Sequence, residues 1–169
     1  MISKTEYSPY FEQYMQLVAQ NQKSILENLT ASQKDFEETL RKLPKEKGSF
    51  AYAEGKWTLK ELIQHIIDTE RVFCYRALCI ARNEGTNLPG FDQDVFVDNC
   101  EVHGRNYYDL LDEMKTLRES TLQLFKSFSD DALLRIGLAS GNKISVRALG
   151  YLFSGHQMHH LNIVKERYL

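Results

Sequence analysis

A helix over Ser145 to Tyr168, SVRALGYLFSGHQMHHLNIVKERY, would have to bury two histidines. On a wheel of about 100° per residue with His156 as origin, His160 falls at about 40°. On the same wheel Leu149 falls at about 20°, Ile163 at about −20°, Leu152 at about −40° and Phe153 at about 60°. Both imidazoles thus lie in the middle of the apolar stripe, one turn apart on one face. His159 falls at about −60°, on the stripe's edge. An unpaired imidazole is costly to bury, so the two rings need partners. A shared metal ion would serve both. A separate carboxylate, carbonyl or water for each ring would also do, and this helix alone does not choose between them.

The rest of the chain follows the same period. Strand signals are nearly absent, no internal repeat is visible, and only three prolines occur, Pro9, Pro44 and Pro89. An all-α fold in one domain, 1–169, is expected, since 169 residues suffice for one full core. Ser8-Pro9 reads as a helix start, with a break at Asn21 and a second helix from Ile25 to Leu43, ended by Pro44 and Gly48. Thr58 and Glu61 form a capping box, with Trp57 and Leu62 placed for a hydrophobic staple. The helix they open runs to about Arg82, where Asn83-Glu84-Gly85 reads as its end. Asn106 and Asp109 resemble a weaker capping box before a helix whose Leu110, Leu111, Met114, Leu117, Leu124 and Phe128 form a clean stripe. Arg118 is that helix's one candidate for an inward charge. The connection 129–144, with a tight turn at Gly141-Asn142, leads to the Ser145 cap.

His65 belongs to the helix opened by Thr58. It lies roughly 100° from the centre of the apolar arc, on a stripe with Thr58, Thr69 and Arg76. A histidine at the rim of the core is the natural third ligand for a pair arriving from the last helix; a half-exposed ring with no task is the alternative. Three nitrogen ligands would leave a coordination position open, as in a reactive site. Imidazole suits zinc, nickel, iron and copper, so ligand type does not select the metal. Glu70 lies nearer the apolar side than its charge suggests. It can orient a ligand histidine or carry a proton, but an arginine partner is favoured: Arg71, Arg76 or Arg82 locally, Arg147 or Arg167 from the last helix. His159 is placed for a supporting or substrate contact. Gly155, just before His156, would allow a close helix approach that brings the pair toward His65.

Residues 85–105 form the longest segment without helical pattern. Extended, they reach about 70 Å, against about 38 Å for a 25-residue helix, so two successive helices could lie parallel. Phe91, Asp92, Asp94 and Phe96 could cover a pocket mouth. His103 reads as surface.

Net charge is −2, which supplies no basic field for nucleic acid or anionic membrane. No apolar run reaches the ~20 residues of a membrane helix, and no signal-peptide pattern is seen, so the expected location is the cytoplasm. Cys74, Cys79 and Cys100 have no metal or redox spacing and receive no chemistry. H-E-x-x-H, G-x-S-x-G, P-loop and dinucleotide fingerprints are all missing.

Three segments together carry a resemblance: KWTLKELIQHIIDTERVFCYRALCIAR, the LPGFDQD that follows, and VRALGYLFSGHQMHHLNIVKERYL. They resemble the DinB/YfiT-like superfamily of proposed metalloenzymes. That resemblance implies a four-helix bundle of up-down-down-up topology, with a long crossover between the second and third helices. It implies a divalent metal, zinc or nickel ahead of iron or manganese, held by His65, His156 and His160. Relatives include S-transferases dependent on bacillithiol or mycothiol, so a low-molecular-weight thiol cosubstrate and a homodimer are further implications. The expected function is a metal-dependent transferase or hydrolase that activates a thiol or water against a small electrophile, with Glu70 and His159 in support. The alternative is a non-catalytic bundle that binds a metal, a small ligand or a protein partner.

Overall fold

The computed structural model describes every residue except Met1, Gln20, Glu84 and Thr86. Each long helix begins where a side chain can satisfy its free N–H groups. Ser24 and Glu27 form a full capping box for α2, Ile25–Leu40. Thr58 and Glu61 do the same for α3, Leu59–Ala81. Asn106 caps α5, Tyr107–Lys126, through the Tyr108 N–H alone, so the reciprocal half expected from Asp109 is not formed. Ser145 accepts from the Ala148 N–H and starts α7, Val146–Ile163, which ends in a wider turn over Val164–Tyr168. Ser8-Pro9 opens a single tight turn, Pro9–Phe11, that feeds the short α1, Glu12–Ala19. The end of α3 is seen at Ala81, with Asn83 in the left-handed region; Glu84 lies outside the described residues.

Contacts between side chains fix how the helices run. Tyr107, at the start of α5, donates to the Leu40 carbonyl at the end of α2, so these two are antiparallel. Lys60 donates to the His103 and Arg105 carbonyls, and Cys74 touches Thr121 farther along, so α3 and α5 run together. Phe73 packs on Phe153 while Tyr168 donates to the Trp57 carbonyl, so α7 opposes α3. Gln157 donates to Gln33, and Gly150 lies against Ile25, so α7 runs with α2. The segment after α3 therefore returns along the bundle before α5 begins.

The apolar core falls into two clusters. One gathers Phe73, Ala77, Ile80, Phe125, Leu149 and Phe153; the other gathers Phe36, Leu59, Ile63, Leu110, Met114 and Leu161. Between them, α3 and α7 present a polar band that includes Thr69, Glu70, Ser154, His156 and Gln157, all buried.

Two features depart from the sequence expectation. The connection 129–144 holds α6, Asp130–Leu134, and most of a hairpin of β1, Ile136–Ala139, with β2, Asn142–Ser145. Ile136 pairs with Ser145 and Ala139 with Asn142 across a two-residue turn whose Ser140 and Gly141 both have positive φ, +53° and +74°. A side chain at Gly137 would meet Ile80 at 2.6 Å, so only a bare backbone lets the hairpin lie on α3. The second departure is α4, Gln93–Asp98, which is helical within the long connection; Asp92 caps it through the Asp94 and Val95 N–H groups. Leu88 ties this connection to the hairpin through backbone bonds to Leu138 and Ser140.

A candidate metal centre between two helices

The Thr58 box sets the phase of α3, and seven residues later His65 points across to α7. His156 and His160 meet it there. His65 Nε2 lies 3.2 Å from His156 Nε2, and His160 Nε2 lies 3.1 Å from the same atom. The ligand atoms of all three lie within 4.8 Å of one another. All three rings are buried.

Hydrogen bonding cannot satisfy this arrangement. A ring nitrogen has one in-plane position, holding either a proton or a lone pair. His156 Nε2 faces two other nitrogens with that one position, so one contact at most is an ordinary hydrogen bond. A cation facing all three lone pairs removes the conflict. Four ligands arranged tetrahedrally at ~2.0–2.1 Å place neighbouring nitrogens about 3.3 Å apart, close to the two contacts made by His156 Nε2. The donor set also fits, because the rings are held neutral, the form that binds metal. Burial lowers the His65 pKa to about 4. It pushes His156 and His160 well below their ordinary value, and the neighbouring imidazoles add to the effect. His160 Nδ1 is buried without a partner, so no second acceptor fixes that ring's tautomer.

Aromatic side chains hold the rings in place. The Trp57 indole lies against His65 with centroids 4.8 Å apart. Tyr14, from α1, packs edge-on against both His156 and His159. Gly155 makes this possible. A Cβ there would lie 2.3 Å from the Tyr14 carbonyl oxygen. The close approach allowed by Gly155 is therefore to α1, and not to α3 as expected.

Glu70 sits in the same band but faces the other way. It accepts from Arg118 Nε at 2.8 Å, from Arg118 Nη2 at 2.7 Å and from the Thr121 hydroxyl at 2.7 Å. The arginine pairing is formed, but with the inward charge of α5 and with none of the five arginines proposed from sequence. Arg71 pairs with Asp68 and Glu113, Arg147 with Glu6, and Arg82 lies over Phe128. His159 is half-buried at the edge of the trio, its pKa lowered by burial. His103 is exposed. Burial raises the Cys74 pKa to about 11, which keeps that thiol protonated.

Two openings reach the histidines. A cavity of about 430 Å³ is lined by His65, His156, Tyr14, Thr69, Phe73 and Arg76, among others, with Phe91 and Asp92 at its edge. A cleft of about 630 Å³ reaches His160 beside Trp57 and Tyr168, with Asp94 and Asp98 from α4 on its rim. Phe91, Asp92 and Asp94 thus stand where the sequence placed a pocket cover, while Phe96 packs against Phe91. Thr69, Arg76, Trp57 and Tyr14 were not picked out as site residues. The shared stripe of His65, Thr69 and Arg76 is the signal that pointed to the first two.

The family model of the DinB superfamily matches residues 28–164. The chain belongs to that superfamily. A protein of Oceanobacillus iheyensis named "putative metal-dependent hydrolase" is 24% identical over 129 residues, covering 76% of this chain and 74% of that protein. YfiT from Bacillus subtilis, described as a probable metal-dependent hydrolase with an unusual four-helix bundle topology, superposes with a TM-score of 0.71 at 17% identity. That match covers 98% of this chain and 87% of YfiT. The DinB-like protein YjoA, also from Bacillus subtilis, gives a TM-score of 0.60 at 22% identity, over 85% and 89% of the two chains. These likenesses support a DinB-type helical bundle, and no described helix is long and apolar enough to cross a membrane.

Proposed function

We propose that this DinB-superfamily chain is a metal-dependent enzyme that activates a water or a small thiol for attack on a small electrophilic substrate. One observation carries the reading: three buried imidazole nitrogens converge beside a cavity large enough for a small molecule. His65, His156 and His160 would hold one divalent ion. Bound there, the ion would lower the pKa of a water or thiol toward neutrality. The chain's own residues do the remaining work. Three protein ligands would leave such an ion a position for water or substrate. Phe73 and Leu152 keep that cavity partly apolar. His159, half-buried against Tyr14, is the side chain best placed to carry a proton at the site's edge. Glu70 supports the site through α3 rather than by touching a ligand, since Arg118 and Thr121 engage its carboxylate.

The name of the Oceanobacillus relative and the description of YfiT favour water as the nucleophile. The choice is tested by loading the protein with zinc or nickel and assaying ester and amide hydrolysis beside thiol addition to an aromatic halide. Turnover that disappears in His156→Ala, while metal-free background stays constant, supports the reading. Equal turnover in the wild type and His156→Ala would overturn it.

A further inference from the structure

Arg76 is a buried cation with no acidic partner among the described residues. It is 5% exposed. Its Nη2 donates to the Pro89 carbonyl at 2.8 Å and to the Ser140 hydroxyl at 2.9 Å. Its Nε is buried with no acceptor, and Nη1 donates to nothing among the described residues. A guanidinium has five N–H donors and keeps its charge. Three of the five therefore have no acceptor among the described residues, on a cation that has lost most of its water.

The neighbouring side chains offset that charge only in part. The Arg76 Cζ lies 6.0 Å from the Phe73 ring centre and 5.9 Å from that of Phe91, so two aromatic faces flank it. Asp92 lines the same cavity, but its Oδ1 accepts the Asp94 and Val95 N–H groups at the start of α4, and no ion pair joins it to Arg76. Arg118 makes a useful contrast. It is equally buried, and Glu70 neutralises it. Thr69, between His65 and Arg76 on the same wall, is buried and its hydroxyl also lacks a partner.

These unpaired donors share one cavity with the histidines. Phe73 links them: its ring lies 5.9 Å from His156 and 6.0 Å from the Arg76 Cζ, so guanidinium and imidazole are within about 12 Å. Building on the metal-dependent reading, we propose that Arg76, assisted by Thr69, binds a carboxylate of the substrate, whose reacting end faces the three histidines. The Nη1 N–H groups can donate to a carboxylate oxygen, and the fixed positive charge strengthens that bond. The substrate class is then a small carboxylate-bearing molecule with its electrophilic centre a few bonds from the acid. Phe73 and Leu152 cover the apolar stretch between the two ends.

Calorimetry on zinc-loaded protein provides the test, with the dicarboxylates from malonate to adipate and their matching diamides as probes. At least one dicarboxylate should bind more tightly than its diamide. Arg76→Gln should weaken that binding by about tenfold or more, while diamide binding stays constant. Arg76→Lys keeps the charge but loses the guanidinium N–H donors and should fall in between. Thr69→Val should produce a smaller loss, of about threefold. Zinc stoichiometry and melting temperature, measured on each variant, report whether the fold and the metal site survive. Should Arg76→Gln fail to fold, Arg76→Lys and Thr69→Val still decide the matter. Equal dicarboxylate affinity in Arg76→Lys, Thr69→Val and the wild type would overturn the proposal, as would a wild type that does not distinguish acid from amide. A protein that binds no zinc but still holds dicarboxylates through Arg76 would refute the metal reading and leave this inference standing.

Discussion

Two polar clusters lie five residues apart on α3, in the same buried band, and their hydrogen bonding differs completely. Around Glu70 no side-chain nitrogen or oxygen of Glu70, Arg118, Thr121 or Ser32 is buried without a partner. Arg118 donates twice to its carboxylate, Thr121 donates once, and Arg118 Nη1 also reaches the Leu29 carbonyl and Ser32. Around His65 the demands conflict. Three nitrogens crowd one point, His160 Nδ1 has no partner, and the Thr69 hydroxyl and Arg76 Nε beside them have none either. A satisfied buried network holds a structure together. A buried network with unmet donors and acceptors requires an explanation, and an ion or ligand that fills it is one. Burial and charge alone would rank the two clusters alike; bonding capacity left unused separates them.

Breaking the satisfied cluster should have the largest effect. Glu70→Ala would leave Arg118 buried and unpaired, and a loss of about 3–5 kcal/mol in urea unfolding is expected. Replacing both partners with apolar residues, Glu70→Leu with Arg118→Met, should recover much of it. Full loss in the double variant would mean that the pair is needed for more than neutralising charge.

The unsatisfied cluster should respond to metal instead. With free zinc at 100 to 1,000 times its dissociation constant, the wild type should gain about 3–4 kcal/mol. His156→Ala, which lacks the ligand common to both short contacts, should gain almost none. Melting curves with and without zinc check this.

Acid should distinguish the clusters further. His65 titrates at about 4 in the folded chain, below the ordinary 6.5. Above 6.5 neither state binds the proton, so stability is unaffected. As pH falls below 6.5 the unfolded chain takes up protons and the folded chain does not, so stability declines until about pH 4. His65 alone should contribute a loss of roughly 3 kcal/mol across that window in metal-free protein. Saturating zinc should delay the loss to lower pH, because the ion competes with the protons. A flat profile between pH 6.5 and 4 would mean that these rings are solvated.

Gly155→Ala should cost about 1–3 kcal/mol, because its Cβ would strike the Tyr14 backbone, and it should loosen Tyr14 from His156. His103→Ala should change stability by less than about 0.5 kcal/mol and leave metal binding intact, since that ring is exposed and lies beside Glu61 rather than against the trio.

The sequence revealed what a single helix determines. Ser24, Thr58 and Ser145 announce helix starts through chemistry within four residues. The wheel through His156 and His160 needs only a helical period to place both rings inward. Relations between helices were harder to read. Arg118 was visible as an inward charge and Glu70 as an inward acid, but their pairing depends on how α3 and α5 are rotated against each other. Gly155 announced a close approach without saying which helix would approach. The hairpin was hidden because four-residue strands give too few alternations to stand out, and its turn was all that showed. Arg76 lay on the His65 stripe in plain view. Its proposed role rests on the lack of an acidic partner among the described residues, which only three-dimensional structure reveals.

X-ray absorption of protein purified without an affinity tag tests the central claim most directly. The expected result is one divalent ion per chain with three imidazole nitrogens at about 2.0–2.1 Å, lost when His65, His156 and His160 are all changed to alanine. An ion retained at the same stoichiometry in that triple variant, or a first shell without imidazole nitrogens, would contradict it.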